Sequence, residues 1–232
     1  MPISFITIDV PGATNTNGYG INASGQIVGD YTDGSGIQGF LLSGGSFTTL
    51  NAPSFVMLHT TSATHINGSS QITGYRNIDP HEGFLYSNDS YTTITAPGGG
   101  LTFLEGINDA AQIVGYTYQS GSVPLSIPYV TSFVDSGGTF TSVRDPQEVP
   151  PSGRPSNPRG TFAQGINNAG QIVGYYSGSG TAIHGFLLSG GTYTTLDDPL
   201  GVGSTYATGI NNAGQIVGYF IDVTRRHPRI PL

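Results

Sequence analysis

The stretch Gly209-Ile210-Asn211-Asn212-Ala213-Gly214-Gln215-Ile216-Val217-Gly218-Tyr219 decides the fold, because related stretches occur five times along the chain. The other four are residues 20–30, 65–75, 106–116 and 165–175. Their third position is always asparagine, at Asn22, Asn67, Asn108, Asn167 and Asn211, with intervals of 41–59 residues. A period of about 40–45 residues is typical of the blades of a β-propeller.

The repeated stretch is predicted to be a β-hairpin. In the copy at 165–175, residues 165–167 end one strand and Asn168-Ala169-Gly170 form a tight turn. Gly170 can adopt the positive φ that closes such a turn without steric cost. Residues 171–175 begin the return strand, because Ile, Val and Tyr favour extended backbone.

Two further strands complete the repeat. His184-Gly185-Phe186-Leu187-Leu188 is an apolar run, Ser189-Gly190-Gly191 is a second turn, and residues 192–197 alternate in polarity. One repeat is therefore four antiparallel strands, which we name A to D. A sheet this small cannot bury both of its faces, so neighbouring sheets are expected to stack around an axis.

We predict an all-β fold, a single five-bladed β-propeller of four-stranded antiparallel blades. The blades cover roughly residues 17–53, 62–97, 103–146, 161–199 and 205–232. Residues 3–11 resemble the strand D at 46–53, and we predict that they complete the last blade and close the ring. Strand C of that blade should lie in 221–232, whose prolines suit a strand poorly. Either this tail forms a poor strand C or the natural chain continues.

The pattern Gly-Ile-Asn-Asn-Ala-Gly-Gln-Ile-Val-Gly, followed by His184-Gly185-Phe186-Leu187, resembles the HAF-type extracellular repeat family of bacteria. That family has similar Ile-Asn, Gly-Gln-Val-Val-Gly and His-Ala-Phe-Leu segments. Here Gly185 replaces the Ala, and among the strand C copies only His184 keeps the His. The resemblance covers nearly the whole chain outside 117–130 and 146–160. It implies a secreted or cell-surface, propeller-like domain and assigns no catalytic residues.

Composition excludes several classes of function. The chain has 232 residues, a net charge of −7, no Lys and no Cys. An acidic chain without a basic stripe is a poor nucleic-acid binder. The missing Cys and Lys exclude thiolate nucleophiles, P-loop lysines and Schiff bases. No apolar run approaches the ~20 residues of a membrane span, and the first residues lack the features of a signal peptide. The five histidines lack ligand spacing, so no metal or cofactor is predicted.

The irregular loops are predicted to lie at one end of the blades. The A–B and C–D turns should share one end, the bottom, while the B–C and D–A loops share the other, the top. Two loops of the third blade are long, 117–130 with Tyr118 and 146–160 with Arg154 and Arg159. Binding residues cluster on such loops, although a lid over the channel mouth would produce the same lengths.

The innermost strand, A, carries a position that varies among the repeats. It holds Tyr19, Thr64, Glu105, Gln164 and Thr208. The next position is Gly in four copies and His65 in the second. These side chains are predicted to face the central channel or its mouth, where Glu105 and His65 could form an acid–base pair. The alternative is a polar ring with satisfied hydrogen bonds that fills the axis.

Strand B carries a repeated tyrosine. It is Tyr75, Tyr116, Tyr175 and Tyr219, with Tyr31 displaced by one residue in the first copy. Sugar rings can stack on such faces, but packing between blades also explains a tyrosine that recurs with the scaffold.

These features favour a ligand-binding module, for a glycan or a similar extracellular ligand at the top face. The first alternative is a hydrolase or lyase at the channel mouth. It would use Glu105 and His65, with Arg154 or Arg159 neutralising an anionic group and Asp145 or Glu148 as a second carboxylate. The second alternative is a structural surface domain without a small ligand.

Overall fold

The computed structural model describes residues 5–53, 59–76, 82–119, 129–149, 159–201 and 203–221. This described part contains eighteen strands and no helix, which confirms the all-β prediction. The first eight strands are β1 (Asn15–Ile21), β2 (Ile27–Asp33), β3 (Gly36–Ser43), β4 (Ser46–Leu50), β5 (His59–Ile66), β6 (Ile72–Arg76), β7 (Glu82–Ser87) and β8 (Ser90–Ile94). The others are β9 (Leu101–Ile107), β10 (Gln112–Gln119), β11 (Tyr129–Ser136), β12 (Thr139–Val143), β13 (Arg159–Ile166), β14 (Ile172–Ser177), β15 (Ile183–Ser189), β16 (Thr192–Leu196), β17 (Thr205–Ile210) and β18 (Ile216–Phe220).

The predicted repeat of four antiparallel strands is confirmed four times. β1 to β4, β5 to β8, β9 to β12 and β13 to β16 each pair in chain order, and β17–β18 form a fifth A–B hairpin. The chain forms two compact units, Met1–Ile94 and Thr95–Leu232. Within each unit, a short parallel pairing links two sheets, β3 with β5 and β11 with β13. The closed five-bladed ring stays a prediction.

A glycine on strand B leaves room for the phenylalanine ring of strand C. A Cβ added at Gly174 would lie 2.8 Å from a ring atom of Phe186, and the other three complete sheets repeat this contact at 2.7–3.1 Å. The four phenylalanines are almost fully buried, at Phe40, Phe84, Phe133 and Phe186. The Gly of the repeated Val-Gly-Tyr segment is therefore required by packing. The sequence analysis did not identify this role.

The asparagine that ends strand A holds the hairpin turn. Asn167 Oδ1 accepts from the backbone N–H of Ala169 and of Gln171, at 3.1 and 3.0 Å. Its Nδ2 donates to Gln171 Oε1 at 2.8 Å and to the carbonyl of Asn211 in the next hairpin at 3.1 Å. The same bridge runs from Asn22 to Asn67 and from Asn108 to Asn167. Asn and Gln therefore repeat because they close each turn, and Asn also links these neighbouring sheets.

The turn geometry agrees with the predictions made from glycine. Gly170 has φ +73°, while the matching residue in the third repeat is Ala111 at φ +57°. The A–B and C–D turns of a sheet lie at the same end, as predicted, because Gln171 Nε2 donates to Ser189 Oγ at 3.3 Å. Gln26, Gln71 and Gln112 make the matching bond to Ser43, Ser87 and Ser136.

The prediction of a β-strand near the N-terminus is wrong, although its expected position beside the first sheet is close to the one observed. Residues 5–10 form no strand, although they take the place of a strand D beside β1. Val10 N–H donates to Thr16 Oγ1 at 3.1 Å, as Ala52 does to Thr61 in the next repeat. Val10 is buried beside Tyr31, and Ile8 packs against the same cluster. A strand D needs a strand C to pair with, and none pairs with this segment in the described part. Residues 222–232, where we expected the missing strand C, lie outside the described residues.

Candidate functional site

The variable position of strand A is the extra residue of a β-bulge in all five hairpins. The pairing of β9 with β10 shifts so that Glu105 stands between Leu104 and Gly106 without a partner of its own. The same shift occurs at Tyr19, Thr64, Gln164 and Thr208. A bulge re-aims one side chain and leaves the ladder on both sides intact. The position can therefore vary without disturbing the sheet.

In the second unit, Glu105 lies among tyrosine hydroxyls. Its half-buried carboxylate accepts a hydrogen bond from the hydroxyl of Tyr116. Burial raises the pKa of Glu105, and the hydrogen bond partly opposes this shift. Burial, and then the nearby Glu105 charge, raise the pKa of Tyr116. Burial and neighbouring charged groups, Glu105 among them, also raise the pKa of Tyr175. Both hydroxyls stay protonated at neutral pH and can donate and accept hydrogen bonds.

Six aromatic rings form a continuous ladder around this carboxylate. Phe103 stacks on Tyr116 with ring centroids 5.0 Å apart, and Phe162 stacks on Tyr175 at 4.7 Å. Edge-to-face contacts of 5.4 and 4.9 Å join these pairs to each other and to the next pair. That pair is Tyr206 stacked on Tyr219 at 4.6 Å. Tyr219 is half exposed.

The ladder's strand A members were missed by the sequence analysis. Phe103, Phe162 and Tyr206 each stand three residues before the repeated Gly, so this regular spacing of aromatic residues could have identified them. The register shows that each lies opposite a strand B tyrosine. The strand B tyrosines of this unit therefore pack on aromatic rings, as one of the two sequence interpretations predicted. Glu105 adds a polar group next to these rings.

The first unit places polar groups at three of the four equivalent positions, and the fourth is Tyr75. Asp30, where the other repeats have tyrosine, is buried and accepts from Asn17 Nδ2 at 3.0 Å and from Ser62 Oγ at 2.6 Å. The hydroxyl of Tyr19 also donates to Asp30, at 3.3 Å. Burial, and next the Asp30 charge, raise the pKa of Tyr19 to about 12. This cluster is satisfied internally, as expected for a polar filling of the inner strands.

His65 is neutral at physiological pH. Burial lowers its pKa from 6.5 to about 4, and its Nδ1 lies 3.0 Å from Thr64 Oγ1. Thr64 in turn donates to the carbonyl of Thr73 at 3.2 Å. His65 belongs to the first unit and Glu105 to the second, so their predicted pairing stays a prediction. Within its own unit, His65 is held next to a hydroxyl.

Arg159 and Thr208, two of the remaining predicted site residues, bond to backbone carbonyls. Arg159 donates from Nη1 to the carbonyl of Gly178 at 3.0 Å and from Nη2 to that of Gly180. Thr208 Oγ1 donates to the carbonyl of Val217 at 3.4 Å.

The predicted loop positions of Tyr118 and Arg159 are wrong, because both lie in strands, Tyr118 in β10 paired with Val130 and Arg159 at the start of β13. Tyr118 is half-buried and helps to raise the pKa of Tyr116. Gln164 is half-buried at its bulge, and Arg154 lies outside the described residues.

The two carboxylates considered as partners of Glu105 hold the segment after β12. Glu148 Oε2 accepts from Thr161 Oγ1 at 2.7 Å, and Glu148 Oε1 lies 3.3 Å from Arg144 Nε. Asp145 accepts from the backbone N–H of Gln147 at 2.8 Å, and burial raises its pKa. Both side chains are buried, and Glu148 ties the segment after β12 to Thr161 of β13.

A groove of about 410 Å³ runs along β18. Its lining includes Leu196, Pro199 and Tyr206 together with Val217, Gly218 and Tyr219. In the complete sheets this side of strand B is covered by strand C and its phenylalanine. The groove therefore marks the place of a third strand in the fifth sheet.

Within the described ranges, no three His, Asp or Glu side chains cluster closely enough to hold a metal ion. No helix in that same part of the chain is long and apolar enough to cross a membrane.

No protein-family model matches the chain, and no curated protein matches it significantly. Among solved structures, the chain is similar to a mutant of the Aleuria aurantia lectin bound to Fucα1-6GlcNAc, with 18% identity and a TM-score of 0.42 over 74% of this chain. A structure of that mutant with α-methyl-L-fucoside gives the same values. The match covers 56% of the lectin, so this chain spans just over half of its length. A similarity of this size does not establish a shared function.

Proposed function

We propose that the protein is a binding module for a neutral glycan, bound by Glu105 and the aromatic ladder of the second unit. The single observation behind this proposal is the carboxylate of Glu105, hydrogen-bonded to Tyr116 beside a run of six aromatic rings. Binding sites of this kind combine apolar faces with a few placed polar groups. A sugar offers both an apolar ring face and hydroxyl groups.

The charge of the chain favours a neutral ligand. Its net charge is −7, and the group at the centre of the site is a carboxylate. An anionic ligand would be repelled by both, whereas a sugar hydroxyl can donate to Glu105 or to the hydroxyl oxygen of Tyr116. The proposal also includes two earlier predictions. One is the secreted or cell-surface location that the HAF-type resemblance implies, and the other is a closed five-bladed ring, predicted from the repeats.

The contrast between the units supports a role for the ladder beyond packing. The first unit fills three of the four equivalent positions with Asn17, Asp30 and Ser62, and both Asn17 and Ser62 bond to Asp30. The fourth is Tyr75, so packing alone does not require aromatic residues at the other three. The hydrolase alternative has less support, because Asp145 and Glu148 already accept hydrogen bonds from Gln147 N–H and Thr161 Oγ1.

The first test is a glycan array screened with the labelled protein, followed by calorimetry on each hit. We expect Glu105→Gln and Tyr175→Phe to weaken binding of a hit at least tenfold, because each removes a polar group beside the ladder. Tyr193→Phe is the matched control. Its hydroxyl accepts from the backbone N–H of Arg144 at 3.0 Å, on the outer strand β16, so binding should be unchanged.

Circular dichroism would confirm that all three variants keep the wild-type fold. A blank array, or a hit whose affinity is the same for Glu105→Gln and wild type, would remove the proposal. A hit that is lost equally in Tyr193→Phe would show that the site lies elsewhere.

A further inference from the structure

The arrangement around Glu105 is repeated in the next two hairpins of the second unit. Each of the hairpins β9–β10, β13–β14 and β17–β18 places a polar residue at its bulge. Two positions earlier on the same strand, each has an aromatic residue that stacks on the tyrosine opposite it. The unit therefore holds three copies of one constellation. The polar residues are Glu105, Gln164 and Thr208, with the pairs Phe103–Tyr116, Phe162–Tyr175 and Tyr206–Tyr219.

These three hairpins adjoin with their inner strands in step. Each bulge residue is followed by a glycine, and a Cβ added at Gly106 would lie 3.4 Å from the Cα of Gly165. A Cβ added at Gly165 would lie 3.4 Å from the Cα of Gly209. Equivalent residues thus stand side by side on neighbouring strands, and the three bulge residues form a row.

The side chain of Glu105 lies close to the next hairpin as well as to its own. Its carboxylate accepts a hydrogen bond from Tyr116. Burial and nearby charges, that of Glu105 among them, raise the pKa of Tyr175 in the hairpin that follows. A pyranose ring with its hydroxyl groups is wider than the close approach of these two strands. A sugar bonded to Glu105 therefore also reaches the hairpin that carries Gln164.

The other two polar side chains of the row have hydrogen-bonding capacity left for a ligand. Gln164 is half-buried, and in the described part of the chain no group is hydrogen-bonded to its amide. That amide can both donate and accept. Thr208 Oγ1 donates its proton to the carbonyl of Val217 and can still accept from a ligand. Both residues are neutral, so the row adds polar groups without adding charge.

We propose that the ligand is a linear oligosaccharide that lies along this row, with successive sugars meeting Glu105, Gln164 and Thr208. The inference rests on the proposed function and assigns it a ligand of at least three sugar units. Each added sugar places hydroxyl groups at another bulge residue and covers part of another aromatic pair. Because the sugars are covalently joined, each further contact forms within one complex, and the affinity should rise with chain length.

Calorimetry with sugars of increasing length tests the proposal. The probes are neutral, linear oligomers of glucose, of mannose and of xylose, from the single sugar to chains of six, with the same series for any sugar that the array identifies. For the series that binds, we expect the affinity to increase at least tenfold from one sugar to three.

Variants along the row locate the chain. Gln164→Ala and Thr208→Val should each reduce the ratio of trisaccharide affinity to single-sugar affinity at least threefold, whereas Glu105→Gln should weaken binding at every length. Thr194→Val is the matched control for Thr208→Val, because it removes the hydroxyl of an exposed threonine on the outer strand β16 of the same unit. Its affinity ratio should equal that of the wild type, and circular dichroism would confirm the fold of each variant.

Each other outcome overturns the inference. A sugar that binds as tightly alone as in a chain of three would overturn it and leave the proposed function in place. A length dependence that is unchanged in both Gln164→Ala and Thr208→Val would show that the chain does not follow the row. An array with hits but no binding of any linear series would also exclude a linear ligand. An array without hits removes the proposed function itself, and this inference with it.

Discussion

Replacing Asn167 by alanine should destabilise the second unit far more than the same change at Asn211. Asn167 is 2% exposed and makes four hydrogen bonds, one of them to the carbonyl of Asn211 in the next hairpin. At roughly 0.5–1.5 kcal/mol each, these bonds predict a loss of about 2–6 kcal/mol. Asn211 makes three bonds inside its own exposed turn, where water competes for each bond, so the lower value applies and the predicted loss is about 1.5–2 kcal/mol.

The measurement is urea unfolding of both variants and the wild type, followed by circular dichroism and tyrosine fluorescence. The difference between the variants measures the bridge between hairpins together with the burial of Asn167, because both asparagines make the same bonds within their own turns. Equal losses for the two variants would refute the argument that the asparagine links neighbouring sheets. A loss at Asn167 below about 1 kcal/mol would also refute the summed contribution of its bonds.

Three further predictions concern the inner strands and turns. The wild type should lose about 1–3 kcal/mol of unfolding free energy as pH falls from 6.5 towards 4, because His65 is protonated at a higher pH in the unfolded chain than in the folded protein. His65→Gly, which restores the residue of the other repeats, should remove this loss. The same pH dependence in both proteins would contradict the prediction. Burial raises the pKa of Glu105 and disfavours its charge, so the wild type should lose unfolding free energy as pH rises above about 4.5. Glu105→Gln should avoid this loss and become more stable relative to the wild type. Calorimetry at pH 4 and pH 7 would measure the direction of the change. Ala111 and Gly170 both have positive φ, which glycine adopts at less cost than alanine. Ala111→Gly should therefore raise the unfolding free energy by about 1 kcal/mol, and Gly170→Ala should lower it by about 1 kcal/mol. Melting-temperature shifts of the same sign in the two variants would contradict this.

Local signals in the sequence were sufficient for most of the fold. The turn at Gly170 and the apolar run around Phe186 each depend on a few neighbouring residues, so hairpins and strand order could be predicted. The bulge at Glu105 could not, because an extra residue is visible only when two strands are set in register. The segment at residues 5–10 misled for a related reason, since its pattern is that of a strand D but no strand C pairs with it in the described part.

The candidate site was less accessible to sequence reasoning. Glu105 stood out because it varies where the scaffold repeats. Its neighbour Tyr175 is 70 positions along the sequence, and only the stacking of sheets brings the two together. The loop around Arg154, which the sequence also singled out, lies outside the described residues.

The bulge on each inner strand separates what the repeat must keep from what it is free to change. Asparagine, glutamine and glycine preserve the architecture, while one side chain per hairpin can be exchanged at little structural cost. The residues at the bulges could therefore be substituted one at a time in protein design, with the rest of the scaffold unchanged. They are Tyr19, Thr64, Glu105, Gln164 and Thr208. Natural variation could explore new ligands by the same route, one substitution per repeat.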